Sequence, residues 1–253
     1  MILQKERDAA LLSVTEEVRH FYDQYPYPRP IDSLEKYRRL WQDRQRRRAD
    51  YHLFWPARPY KEDLSILIAG CGTAQAAKHA VRWPAAKVTG IDVSETSVRC
   101  TEDLKRKHSL ENLRVCQLPI ERVNDLETSF DQIVCTEVLH HLADPDAGLS
   151  ALRGMLKPEG AMHLMVYAPY GRAGIYMLQE FCRRVGIHAA DADIRDLIAA
   201  LRALPCHLDI RWKTCFARPR TFGKRRRSLT RFYIHKTVRI RSRNYSISWR
   251  GVD

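Results

Sequence analysis

Short apolar segments alternate with amphipathic segments through the middle of the chain. The apolar segments are LSILIA (64–69), KVTGID (87–92), LRVCQ (113–117), DQIVCT (131–136) and AMHLMVYA (161–168). Helical patterns alternate with them in TAQAAKHAVRW, SETSVRCTEDLKRKH, DPDAGLSALRGMLK and GIYMLQEFCRRVG. This alternation predicts an α/β fold, in which helices cover both faces of a doubly wound, mostly parallel sheet.

Two further helical patterns precede the first strand, at residues 3–22 and 31–49. The three prolines of YPYPRP (25–30) separate them, because proline cannot continue a helix. We expect an N-terminal helical region at 1–60, a core at 61–204 and a basic, disordered tail at 205–253. The aromatic residues of the first region could form a lid over a cleft or simply pack the helices: Tyr22, Tyr25, Tyr27, Trp41, Phe54 and Trp55.

Composition excludes several classes of protein. No run of eighteen apolar residues is present, which argues against a membrane span, and the charged N-terminus does not resemble a signal peptide. The seven cysteines lack zinc-site spacing, so we expect a reduced, cytoplasmic protein without a metal.

The net charge of +13 is concentrated at one end of the chain. Residues 206–253 hold 14 Lys+Arg and 2 Asp+Glu, whereas the preceding 205 residues hold 29 and 28. A basic tail suggests a nucleic-acid partner, but this tail does not order its bases and aromatics on one face. The RQRRR run at 44–48 is interpreted as a solvated helix end.

The segment ILIAGCGTAQAA (66–77) combines a strand, a Gly-x-Gly turn and a helix. Gly70 and Gly72 allow a tight turn and a close approach to a ligand, next to the free N–H groups of a helix start. A dinucleotide fingerprint would have a third glycine where Gln75 stands, which disfavours an NAD(P)-dependent oxidoreductase. Asp92, at the end of the second strand, is placed to accept the ribose hydroxyls of an adenosine ligand.

A longer motif follows in residues 130–169, with a strand, LHHL, an acidic helix start, LKPEG and another strand. Together with the glycine turn and Asp92, this order resembles the class I S-adenosylmethionine-dependent methyltransferases over about residues 64–187. The resemblance implies a Rossmann-like methyltransferase fold, S-adenosylmethionine as cofactor, and methyl transfer to an acceptor that the sequence does not identify.

The resemblance also implies a set of cofactor-binding residues. Gly70, Cys71 and Gly72 would flank the methionine part, and Asp92 with Val93 would hold the ribose. Gln117, where the family often has an acid, and Leu118 would lie beside the adenine. Thr136 and Glu137 would lie against the cofactor and face the substrate.

Two histidines are the candidates for a catalytic role. His140 or His141 could take a proton from an attacking hydroxyl or amine. The alternative is that they pack at the helix–strand junction, because methyl transfer from a sulfonium needs mainly proximity and orientation.

The family-like order stops near Leu204. Arginine-rich, acid-poor sequence is typical of a shifted reading frame in a GC-rich gene, and permitted codons for 221–226, read one base earlier, encode a charge-balanced helical pattern. We therefore hypothesise a frameshift near Leu204, a missing C-terminal hairpin and impaired activity.

Overall fold

The computed structural model describes residues 14–168, 170–187 and 191–203. The basic tail, the hypothesised frameshift product and the place of the expected hairpin lie outside these residues. The chain divides into two compact units, Met1–Val166 and Tyr167–Asp253. The boundaries that the sequence predicts, after residues 60 and 204, stay predictions.

Five strands within the described residues form one parallel sheet in the order β3-β2-β1-β4-β5. Their bounds are β1 Ser65–Ala69, β2 Lys87–Asp92, β3 Leu113–Gln117, β4 Phe130–Thr136 and β5 Leu156–Met165. The order reverses between β1 and β4, so β1, β2 and β4 lie in the interior of the sheet. This is the doubly wound fold predicted from the alternating pattern, and the prediction is confirmed.

Helices connect the strands of this sheet and precede it. Residues 14–24 are helical (α1), and the other helices of the first unit are α2 Glu35–Trp41, α3 Arg44–Phe54, α4 Gln75–Arg82, α5 Glu95–Lys107 and α6 Pro145–Gly154. Three-residue-per-turn helices span Ile120–Leu126 and Leu139–His141. The second unit contains Tyr170–Arg172 as a similar short helix, α7 Ala173–Arg184 and α8 Asp191–Ala203. No helix in the described part of the chain is long and apolar enough to cross a membrane.

The two faces of the sheet are each covered by a buried apolar cluster. Ile66 and Ile68 point to the face covered by α4 and the N-terminal helices. Leu67 and Ala69 point to the opposite face, where Leu152 of α6 packs. Because side chains alternate along a strand, a strand that is apolar at every position fits a sheet buried on both sides.

Two predicted elements differ from those observed. The helix expected at 31–49 is two helices, because Asp43 caps α3 by accepting hydrogen bonds from Gln45 N and Arg46 N. The LKPEG segment is not a turn before β5 but a bulge within it, in which residues 157–160 lie opposite Asp131 alone. The bulge accommodates Pro158 because β5 is at the edge of the sheet formed by the described residues.

Helix α8 is absent from the predicted elements. Its apolar residues Ile194, Leu197, Ile198 and Leu201 recur at helical spacing, so the signal is present in the sequence.

Candidate active site

The Gly-x-Gly turn connects β1 to α4 through two residues in the left-handed region of backbone space. Gly70 has φ +72° and Gly72 has φ +53°. A Cβ on Gly70 would lie 2.3 Å from Val138 Cγ2, and a Cβ on Gly72 would lie 2.7 Å from the carbonyl oxygen of Tyr27. Both glycines are therefore required by the turn and by the protein atoms packed against it.

Asp92 lies at the end of β2 and is bound to the same turn. Its Oδ2 accepts a hydrogen bond from Gly72 N at 2.8 Å, and its Oδ1 accepts one from Ser94 N at 2.9 Å. Burial raises the pKa of the Asp92 carboxyl, while these two N–H groups act in the opposite direction. The carboxylate is thus oriented by backbone donors on both sides.

The start of α5 connects Asp92 to the N-terminal helix. Ser94 is the N-cap residue, whose Oγ accepts from Ser97 N at 3.1 Å and donates to Asp23 Oδ1 at 2.7 Å. Asp23 Oδ1 also accepts from Thr96 N at 3.1 Å. A carboxylate at a helix start is stabilised by the exposed N–H groups and the helix dipole, and here it fixes the end of α1 to α5.

A cavity of about 280 Å³ opens at the carboxyl ends of the strands. In a doubly wound sheet, this edge is where ligands bind. The residues that line the cavity are Thr15, Val18, Tyr22, Tyr27, Pro28, Gly70, Cys71, Gly72, Gln75, Asp92, Val93, Ser97, Leu118, Ile120, Thr136, Glu137, Val138, His141, Leu142 and Met165.

The cavity brings together most of the residues that the sequence singles out. Two candidates are not in its lining, Gln117 and His140. Gln117 is exposed and donates from Nε2 to Val93 O at 3.1 Å. His140 is only 1 % exposed and packs against His141, with 4.2 Å between the ring centroids and 56° between the ring planes.

Cys71 lies in the glycine turn and is fully buried. Burial raises the pKa of its thiol well above the usual range, and the nearby Asp92 carboxylate raises it further. The thiol form is therefore favoured at neutral pH, which argues against a nucleophilic role for Cys71. Cys71 forms part of the cavity wall.

Glu137 follows β4 in a strained backbone conformation. Its φ is +63°, an uncommon value for a residue with a Cβ. Its N–H donates to Met165 O at 2.9 Å, which holds the end of β4 against the end of β5. Backbone strain of this kind concentrates at functional sites.

The N-terminal aromatic residues separate into two groups. Tyr22 and Tyr27 line the cavity, and Tyr22 Oη lies 3.2 Å from His141 Nε2. Tyr25 instead contacts Phe21. Three others pack in the helical layer: Trp41 against Arg82, Phe54 against His163, and Trp55 against Tyr51.

Sequence reasoning missed several residues of the wall. Thr15 and Val18 share a face of α1 with Tyr22 because their spacing follows the helical repeat, and this spacing could have identified them. Met165 ends β5, and the ends of parallel strands meet at one edge of the sheet. Among the described residues, no group of three or more His, Cys, Asp or Glu side chains is arranged to hold a metal.

Comparison with known proteins gives the same assignment as the fold. Residues 67–162 match the family model described as a methyltransferase domain. An uncharacterized protein of Synechococcus sp. is 36% identical over 171 residues, covering 66% of this chain and 40% of its own length. A ubiquinone biosynthesis O-methyltransferase of Neisseria meningitidis is 30% identical over 156 residues, covering 50% of this chain and 64% of its own length.

The chain thus spans less than two thirds of the length of these two relatives. Among solved structures, PKMT2 from Rickettsia typhi matches with a TM-score of 0.54 at 20% identity, over 69% of this chain and 34% of that chain. At this identity the likeness concerns the fold alone. The match over residues 67–162 identifies a methyltransferase domain in this part of the chain, and the glycine turn and Asp92 lie within it.

Proposed function

We propose that this protein binds S-adenosylmethionine at the strand-end cavity and catalyses methyl transfer from it. The observation that carries the proposal is the position of Asp92 beside the glycine turn, with both carboxylate oxygens oriented by backbone N–H groups. A carboxylate at this position of a doubly wound sheet can accept ribose hydroxyls. The Neisseria meningitidis relative is an O-methyltransferase, which supports the same reaction class.

The residues of the cavity fit the parts of this cofactor. Val93, Leu118 and Ile120 form an apolar wall next to Asp92, suited to the adenine ring. Gly70, Cys71 and Gly72 of the turn line the cavity, where the methionine part would lie. The volume of about 280 Å³ is close to the lower end of the range for small-molecule sites, about 300–1,000 Å³.

Bound there, S-adenosylmethionine would supply a methyl group on a positively charged sulfur. The chain's own residues would orient the two reactants, and α1 with the Tyr27–Pro28 segment would exclude water. Glu137, which lines the cavity, would supply a negative charge to its wall. Proximity and orientation of this kind account for a large part of the rate of a group transfer.

The two alternative functions have less support. The dinucleotide fingerprint of an NAD(P)-dependent oxidoreductase has a glycine at position 75, which allows the helix to pack closely on the strand. This chain has Gln75 there, and Gln75 lines the cavity. A nucleic-acid-binding role would depend on the basic tail, which lies outside the described residues.

The first prediction concerns Asp92. We expect Asp92→Asn to weaken S-adenosylmethionine binding at least about 10-fold, because the amide NH₂ would face the N–H of Gly72 or Ser94 and fewer acceptor sites would remain. Isothermal titration calorimetry of the purified variant measures this loss. Asp103→Asn, on the exposed side of α5, is the matched control and should bind as the wild type does. Equal affinity in the wild type and Asp92→Asn would contradict the proposal.

A further inference from the structure

The cavity has two ends that differ in chemistry. Asp92 ends β2 and Met165 ends β5, and in the sheet order these strands are three spacings apart. Neighbouring strands lie about 4.8 Å apart, so about 14 Å separates the two ends. If the proposed cofactor occupies the end at β1 and β2, the end at β4 and β5 is left for the molecule that receives the methyl group.

The wall at the β4–β5 end is mainly apolar and is closed by α1. Val18 of α1, Val138, Leu142 and Met165 supply aliphatic surface. His141 is only 6 % exposed although it lines the cavity, because the ring of Tyr22 packs edge-on against it, with 5.9 Å between centroids. A wall of this kind suits a small, largely apolar acceptor. A macromolecular acceptor would have to displace part of this wall to reach the β4–β5 end of the cavity.

One hydrogen-bonded pair supplies the polar chemistry of this end. Tyr22 Oη lies 3.2 Å from His141 Nε2, and both residues line the cavity. A neutral imidazole nitrogen can accept the tyrosine proton, and the tyrosine oxygen can at the same time accept a proton from another hydroxyl. The pair therefore connects a hydroxyl in the cavity to a base that is itself shielded from solvent.

We infer that the Tyr22–His141 pair is the acceptor site, and that the acceptor is a small, apolar molecule bearing a phenol-type hydroxyl. This inference rests on the proposed function. The acceptor proton passes to Tyr22 Oη while the Tyr22 proton passes to His141 Nε2. The acceptor oxygen forms its bond to the methyl carbon as the bond from that carbon to the sulfonium sulfur breaks, and the electron pair stays on sulfur.

Proton transfer to a positioned side chain contributes about 10²–10⁴-fold to a reaction rate. A phenol-type hydroxyl, with a pKa of about 10, is mostly protonated at neutral pH and gains from such a base. An amine acceptor would be mostly charged at neutral pH, and its transfer from water to an apolar wall would cost more free energy than that of a neutral phenol. The apolar wall together with the Tyr22–His141 pair therefore favours the oxygen acceptor.

The experiment uses the full chain with S-adenosylmethionine and catechol as the probe acceptor, and benzylamine as the amine comparison. Tyr22→Phe and His141→Gln should each lower kcat for catechol about 10-fold or more, while the dissociation constant for S-adenosylmethionine stays within about two-fold. His141→Gln should also remove the rise of kcat with pH that a base confers. Tyr25→Phe and His20→Gln are the matched controls, because both residues lie outside the cavity lining and should leave kcat unchanged.

The possible outcomes are distinguishable. Absence of S-adenosylmethionine binding to the wild type would overturn the proposed function and this inference with it. Cofactor binding with methylation of benzylamine but not of catechol, or with no methylation of either, would overturn this inference alone. Equal kcat values for Tyr22→Phe and Tyr25→Phe would also overturn it.

Discussion

Gly72 is the residue at which local conformation and the cavity wall depend most directly on each other. Its N–H binds Asp92, its φ is +53°, and its Cα faces the carbonyl of Tyr27. Thr73 Oγ1 donates to Pro28 O at 2.7 Å in the next position. The N-terminal segment is therefore seated on the glycine turn by contacts that leave no room for a larger side chain.

We expect Gly72→Ala to lower the free energy of unfolding by at least about 1–2 kcal/mol, the cost of a left-handed conformation for a residue with a Cβ. The close contact with the Tyr27 carbonyl adds to this cost. Urea denaturation measures the change. Gly154→Ala is the control, because a Cβ there meets nothing within 4 Å and alanine favours the helix; its stability should be unchanged or higher. A Gly72→Ala variant as stable as Gly154→Ala would contradict the expectation.

At the scale of elements, Asp131 joins the beginnings of three strands. Its carboxylate accepts from Ser65 N at 2.8 Å at the start of β1, and pairs with Lys157 in the bulge of β5 and with Lys61. Burial by itself would raise the pKa of Asp131, but the hydrogen bonds from Lys157, Ser65 and Lys61 outweigh it, and the pKa lies below its usual range.

This shift predicts how stability depends on pH. Because the folded-state pKa is lowered, the stabilisation is fully present above the unfolded pKa of about 3.9 and is lost as the pH falls towards the folded value. Asp131→Asn should lower the free energy of unfolding by about 1.5–3 kcal/mol at pH 7. This difference in stability from the wild type should become smaller towards pH 3. Denaturation at both pH values checks this, with the exposed Asp125→Asn as a control. If the difference in the free energy of unfolding between Asp131→Asn and the wild type stays constant with pH, the charge of Asp131 does not contribute to stability.

The elements were predictable where the period of the apolar pattern was clear. β2 and β3 occupy the predicted residues 87–92 and 113–117, because buried parallel strands are short, apolar runs between helices. The bulge in β5 was not predictable, since Pro158 and Gly160 indicate a turn equally well and only the pairing with β4 separates the two cases. The break between α2 and α3 depends on the helix cap at Asp43. It was not predictable because the apolar pattern continues at helical spacing through this residue.

At the scale of the whole molecule, the cavity is built from residues 15–165. The sequence could identify its floor, because the glycine turn, Asp92 and Thr136 all follow strands and therefore meet at one edge of the sheet. It could not show that Gln117 and His140 lie outside the cavity lining, because the direction of a side chain depends on its rotamer and on local packing. It also could not assign Tyr22 and Tyr27 to the wall and Trp55 to the core, because that division depends on how the N-terminal helices dock.

The composition of the wall leads to a prediction about the basic tail. A chain ending at residue 203 should bind S-adenosylmethionine within about two-fold of the full chain, because among the described residues none beyond Met165 lines the cavity. Calorimetry on both chains measures this. If the full chain binds DNA or RNA in a salt-dependent manner, that binding should disappear in the shorter chain, which removes the tail's net charge of +12. A shorter chain that folds but has lost cofactor affinity would contradict the prediction.

The contact between Tyr22 and His141 joins residues 119 positions apart in the chain. Helix α1 precedes β4 and β5 in the chain, yet the surface that it covers is complete only when both strands have formed. Contacts of such long sequence separation form slowly, because the intervening loop must close before they contribute. During refolding, the sheet should therefore regain its secondary structure before the cavity acquires its wall, and the ability to bind a ligand there would be the last property of the native state to return.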